Sequence, residues 1–530
     1  MPARRMLAIL SILVATLTFA PAALADAPGV YAITGGTVHP VSGPAIANGT
    51  VVIRDGLLEA VGANVAVPSD ATVIDAKGLH VYPGLFDAQT SLGFSTPSRG
   101  RGESAAASEP TPDSLAIRTI KLSDSDAEAK RATGVTTILA APATGIFNGQ
   151  SVVLNLGKGA VESRVLKNPA ALHISFSPRP TWTFPDSLMG VMAMLRQTFL
   201  DADQYGQARA IYERNPSGLR RPEDNPSLEA LAPVLRRELP VVFVADTANM
   251  IQRAQSLAKE FNLRYIISGA RQGYRAADEL RNVPVLVSVK WPNPPTNAED
   301  REEQSLRAIR DRQLAPTTPA TLAKAGVAFA LVSGAGKTGD YLSGIRKAIE
   351  NGLSEDDALR ATTMWPARIF GVDRQIGTLE RGKIANVVVT DLPIFAEKAK
   401  VRRVFIDGRE LKLPEDDKKD DAAKTAAAAS PIDGTWNLNV RASDGNVAIN
   451  VTLRLEDGKL TGSFSGDRGS GELRGGTFAD GSVEFTISTQ AKSEGEQSDW
   501  VFRGKVTGDA MDGNVTTTLG TFPFSGSKSK

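Results

Sequence analysis

The chain has 530 residues, too many for one hydrophobic core, so several domains are expected. Its 60 Lys and Arg offset 59 Asp and Glu, which removes any electrostatic reason to expect a nucleic acid or an anionic membrane as partner. With no cysteine and three histidines, disulfides, thiolate metal sites and cysteine nucleophiles are excluded and imidazole is scarce.

Residues 1–25 read as a signal peptide. Arg4 and Arg5 precede an apolar run from Met6 to Phe19, and Ala23-Leu24-Ala25 supplies an A-x-A cleavage site before Asp26. The run is shorter than the roughly 20 residues needed to span a bilayer. No later segment has that length, so export to a periplasm or the cell exterior is expected, without membrane insertion of the mature chain.

Residues 26–80 read as short strands and turns, with Val51-Val52-Ile53-Arg54 and Ala71-Thr72-Val73-Ile74 bounded by Gly, Asp and Asn. Between 81 and 371, apolar runs rich in Val and Ile alternate with helical patterns. The runs are Val81–Phe86, Thr136–Ala140, Val241–Val244, Tyr265–Ile267, Val283–Val289 and Ala328–Val332. Near-continuous apolar runs of this kind fit buried parallel strands, and the alternation predicts α/β architecture with a run count close to an eight-stranded barrel. A Ser-, Pro- and Gly-rich loop at 94–113 and a Pro-punctuated helical insertion at 178–232 interrupt the pattern. Strands return over 372–412. Residues 413–432, charged and alanine-rich, read as a linker, and 433–530 as an all-β barrel or sandwich.

Four motifs occur in order: His80-Val81-Tyr82-Pro83-Gly84-Leu85-Phe86-Asp87-Ala88, Gly134-Val135-Thr136-Thr137, Trp365-Pro366-Ala367, and Ile376-Gly377-Thr378-Leu379-Glu380-Arg381-Gly382-Lys383-Ile384-Ala385 with Asn386-Val387-Val388-Val389. Together they resemble the amidohydrolase superfamily, in its imidazolonepropionase-like secreted subgroup. The resemblance implies a (β/α)8 TIM-like barrel over 81–371, a small composite β-sandwich from 26–80 and 372–412, and metal-dependent hydrolysis of carbon–nitrogen, non-peptide bonds. It also implies one or two divalent ions, Zn, Mn or Fe, at the C-terminal strand ends. The family holds them with an H-x-H pair after strand one, histidines after strands five and six, and an aspartate after strand eight.

Those positions read Gln89 and Ser91 for H-x-H, Val244 at strand five, Ser268 or Gly269 at strand six, and Gly334 at strand eight. Neutral oxygens bind transition metals poorly beside imidazole. No histidine follows His173, so strands five to eight cannot supply one in any register. No metal cofactor is therefore expected.

His39, His80 and His173 are read as structural residues. Asp246 and Lys290 lie at predicted strand ends, where a Lys–Asp pair is either structural, ligand-binding or an acid/base couple. Asp87 matches a family position that supports the strand-one turn, and Gln89, Ser91 and Ser333 are expected to floor a neutral pocket with Asp246 and Lys290. Gly145-Ile146-Phe147-Asn148-Gly149-Gln150 reads as a turn, and Ser333-Gly334-Ala335-Gly336-Lys337-Thr338 as a loop lacking the first glycine of a phosphate-binding motif. Trp436 is expected as a core plug.

The leading expectation is a pseudoenzyme: a metal-free barrel acting as a binding or scaffold protein for a small molecule or another protein, its oligomeric state left open. The alternative is a working carbon–nitrogen hydrolase with a carboxylate-held metal or a Lys290/Asp246 centre, for which Asp87, Asp246 and Lys290 must converge. A third places the function in 433–530.

Overall fold

The protein is described from a computed structural model. The described residues are 29–94, 111–178, 184–295, 304–334, 340–413 and 430–528, with short gaps after 430 at 443–444, 457–458, 467–468, 474, 480, 491–496 and 518–519. The signal segment, residues 95–110, most of the linker and residues 335–339 of the glycine-rich loop lie outside them. The chain divides into two compact units, Met1–Pro414 and Glu415–Lys530.

The first unit opens with β1 (Tyr31–Val38), β2 (Ile46–Arg54), β3 (Leu57–Gly62), β4 (Thr72–Asp75) and β5 (His80–Pro83). It closes with β16 (Val387–Thr390), β17 (Val401–Ile406) and β18 (Arg409–Leu411). All eight join one sheet, because β5 pairs with both β1 and β16. The apolar run expected as one strand over Val81–Phe86 is thus broken. Val81 to Pro83 belong to this flanking sheet, and β6 (Leu85–Thr90) starts a second one. The break falls at Gly84, where a Cβ would lie 2.0 Å from the Thr136 hydroxyl oxygen. Only glycine lets the chain turn that close to the neighbouring strand.

Between the flanks run β6, β7 (Val135–Ala140), β8 (Phe147–Gln150), β9 (Val152–Asn155), β10 (Val165–Lys167), β11 (Leu172–Ser175), β12 (Val241–Ala245), β13 (Tyr265–Gly269), β14 (Val285–Ser288) and β15 (Phe329–Val332). β6 pairs parallel with β7, and β11 to β15 pair parallel in succession. β8 and β9 are one stretch divided at Ser151. They run antiparallel to both neighbours, β9 against β7 and β8 against β11. The segment expected as a glycine turn is therefore a reversed strand. Gly149 has φ +92°, and a Cβ there would lie 2.5 Å from the Ser114 carbonyl oxygen, so glycine is required where residues 111–114 dock on it. A bridge from Thr90 to Gly334 links the first parallel strand to the last.

Strand alternation sorts the side chains. Phe86, Ala88, Val242, Ile266, Leu286, Ala330 and Val332, from five strands, pack on one another in an inner cluster. Leu85, Val241, Phe243, Ile267, Val285, Phe329 and Leu331 pack outward with helix residues such as Ala127, Ile251 and Tyr341. Among these helices are α1 (Asp124–Arg131), α2 (Leu188–Arg214), α3 (Ala248–Glu260) and α5 (Asp340–Glu350), while α4 (Leu306–Leu314) buries no residue. The fold is mixed α/β. Among the described residues no helix is long and apolar enough to cross a membrane.

Among its described residues the second unit is all-β: nine strands, from β19 (Gly434–Ala442) to β27 (Gly520–Lys528), form one sheet of antiparallel pairs. Its core includes Trp436, fully buried, whose indole N–H donates to the Ile432 carbonyl at 2.8 Å. Ile432 is itself fully buried.

Candidate functional site at the strand ends

Continuing the alternation, Val244, Ser268, Ser288 and Gly334 fall in the inner register at the C-terminal ends of β12 to β15. The pairing of β6 with β7 is irregular between Asp87 and Thr90, and Gln89 lies within that irregularity. Its side-chain oxygen accepts a very short hydrogen bond from the hydroxyl of Ser268 on β13. Its backbone carbonyl accepts from the N–H of Gly334 at 3.0 Å. Gln89, expected at one ligand position of the resembled family, is thus bonded directly to Ser268, which with Gly269 was expected at another.

Glutamine and serine side chains are neutral, Val244 is apolar, and Gly334 has no side chain to offer. Among the described residues no group of three or more His, Asp or Glu is placed to hold an ion. The residues at these strand ends do not fit a divalent metal. Nor is Ser268 an activated nucleophile, because the amide oxygen it faces is not a base.

The charged candidates do not converge. Asp246, half-buried after β12, pairs with Arg271 at 2.9 Å. Gly269, at φ +90°, lets this carboxylate tuck in, since a Cβ there would lie 2.4 Å from its oxygen. Lys290 is exposed, and its backbone N–H donates to the Ser288 hydroxyl at 3.3 Å. Asp87 is fully buried and faces the helices rather than the inner register. Its Oδ2 accepts from Lys130 Nζ at 2.7 Å and from the Ser333 hydroxyl at 2.5 Å, and its Oδ1 from the Ser333 backbone N–H at 3.0 Å. Lys130 also donates to the Ser333 hydroxyl at 3.0 Å. The Tyr341 ring lies 5.5 Å from the ammonium, and burial, reinforced by the Asp87 charge, raises that phenol well above its ordinary pKa. Ser333 is therefore not part of the pocket floor. It is one corner of a sealed network joining β6, β15 and α1. Ser91 is half-buried, and its carbonyl accepts from the Phe94 N–H at 3.1 Å.

The sequence reading missed both cations, Lys130 and Arg271. Lys130 had a signal: with Ala127 and Arg131 it lies on the buried face of α1, where a lysine needs a partner. Arg271 stands two residues beyond Gly269 and had none.

The histidines lie elsewhere. His39, just after β1, and His80, on β5, face each other Nε2 to Nδ1 at 3.1 Å, with His39 stacked on Tyr82. Burial lowers the pKa of both. His173, on β11, is buried, bonded through Nε2 to the Ser151 hydroxyl at 2.9 Å, and burial pushes its pKa down to about 3.

The sequence pattern of the Amidohydrolase family matches residues 306–411. An amidohydrolase structure from Thermotoga maritima MSB8 superposes with a TM-score of 0.62 at 26% identity, covering 72% of this chain and 100% of that one. A prolidase complexed with N-methylphosphonate-L-proline gives 0.46 at 18% identity, and a Xaa-Pro dipeptidase with bound methionine 0.47 at 15%, each over 72% of this chain and 100% of the other. The family match and the Thermotoga structure, with the motifs in their expected order, support membership of the amidohydrolase superfamily.

Proposed function

We propose that the chain is a metal-free amidohydrolase relative, of the imidazolonepropionase-like secreted subgroup, that binds a small molecule or protein without hydrolysing it. The observation that carries this reading is the bond between Gln89 and Ser268, which fills two family ligand positions with neutral groups satisfied by each other. In this reading β6 to β15 form a TIM-like (β/α)8 barrel whose third strand is reversed. The bridge between Thr90 and Gly334 supports that closure. The flanking sheet forms the composite β-sandwich domain.

A fold can outlast its chemistry, because chemistry resides in the site. The alternative Lys290/Asp246 centre has no geometric support, since Asp246 faces Arg271. The reading further takes residues 1–25 as an export signal, testable by mass spectrometry of the N-terminus, for which Asp26 is the expected first residue. Activity is tested with N-acyl and amide substrates, with and without added zinc or manganese. Release at the buffer rate under both conditions is expected. Turnover that rises with metal overturns the proposal.

A further inference from the structure

A cleft of about 810 Å³ opens beside the ends of β12 and β13, walled by the start of α3, the loop after β13 and α4. Among the described residues, three guanidinium groups line it, those of Arg275, Arg307 and Arg310, against one carboxylate, Asp311. That carboxylate is already engaged: Gln272 donates to one oxygen at 2.7 Å and the Tyr274 hydroxyl to the other, also at 2.7 Å. Burial and the bond to Asp311 push the Tyr274 phenol up to about 12, so it acts as a fixed donor. Arg307 reaches Asp311 only at 3.9 Å. Arg275 and Arg310 make no side-chain hydrogen bond or ion pair with the described residues. Among the described residues the cleft thus carries an excess of positive charge.

Its wall is apolar where α4 contributes Leu306, 82% exposed, and Leu314. A solvent-facing leucine one residue from a cationic rim suits an amphipathic anion better than a bare inorganic one. Guanidinium groups pair with carboxylates in a planar, two-point geometry, while the leucines gain by covering an apolar body. The volume lies within the usual range of small-molecule sites.

We propose that this cleft binds an organic carboxylate with an apolar body, the carboxylate held by Arg275 and Arg310 and the body laid against Leu306 and Leu314. The site is independent of the Gln89–Ser268 pair, so its failure leaves the metal-free reading untouched.

The test is calorimetric titration of the full chain with octanoate, acetate and inorganic phosphate at low ionic strength. Octanoate is expected to bind at one site, more tightly than acetate or phosphate. The Arg275→Gln/Arg310→Gln double variant should weaken octanoate by about ten-fold or more, and Leu306→Ser should weaken octanoate but not acetate. The exposed positions of these residues should leave thermal unfolding unchanged in both variants. Absent octanoate binding, or equal affinity in the double variant, overturns the proposal. Phosphate binding more tightly than octanoate overturns the organic-carboxylate assignment.

Discussion

The hydroxyl of Ser268 donates to the side-chain oxygen of Gln89, joining the C-terminal end of β13 to that of β6. At positions where the resemblance implies imidazoles around an ion, Gln89 and Ser268 are a neutral acceptor and a neutral donor that satisfy one another. Ser268→Ala should cost about 1–2 kcal/mol, because it leaves the Gln89 oxygen without its partner. The double variant Gln89→Leu/Ser268→Ala should cost no more than the single one. Denaturant unfolding of the four proteins in this cycle measures the coupling, and strictly additive costs would argue against the bond.

Lys130 and Asp87 form a buried pair, with side chains 1% and 0% exposed. Lys130→Met leaves an uncompensated carboxylate in the core and should destabilise the first unit by about 3–5 kcal/mol. Adding Asp87→Leu should recover part of that loss, since an apolar pair carries no buried charge. Chemical denaturation followed by circular dichroism checks both. A neutral Lys130→Met would mean that the carboxylate is solvated.

The pH dependence of stability follows from His173. Its folded pKa of about 3 lies below the ordinary value of 6.5, so below pH 6.5 the unfolded chain binds a proton that the native protein refuses. Stability is therefore full above pH 6.5 and falls as pH drops towards 3. His39 and His80, also lowered, act in the same direction. His173 alone should remove about 2 kcal/mol between pH 7 and pH 5. His173→Gln should flatten this acid limb in denaturant midpoints measured at the two pH values. An unchanged limb would show that His173 is protonated in the folded protein.

Much of the architecture was legible because it is periodic. The Val- and Ile-rich runs at 136–140, 241–244 and 265–267 became β7, β12 and β13, and the motif order gave the family. The count of histidines led to the expectation that no metal is held at the strand ends. The reversed strand β8–β9 was not legible, because Gly145 and Gly149 give its first half the composition of a turn. The docking of residues 111–114 on Gly149 explains that second glycine. The break at Gly84 was hidden for a similar reason: its cause, Thr136, is remote in sequence. The partners of Asp87 and Asp246 were also out of reach. Spacing along the chain carries no information about Lys130, 43 residues from Asp87, or about which carboxylate Arg271 turns towards.

The most direct measurement is metal content by elemental mass spectrometry on tag-free protein after incubation with zinc, manganese or iron. Less than about a tenth of an equivalent of any of them is expected, because a built site binds near stoichiometrically. A full equivalent retained through dialysis would contradict it and make metal-dependent hydrolysis the leading reading.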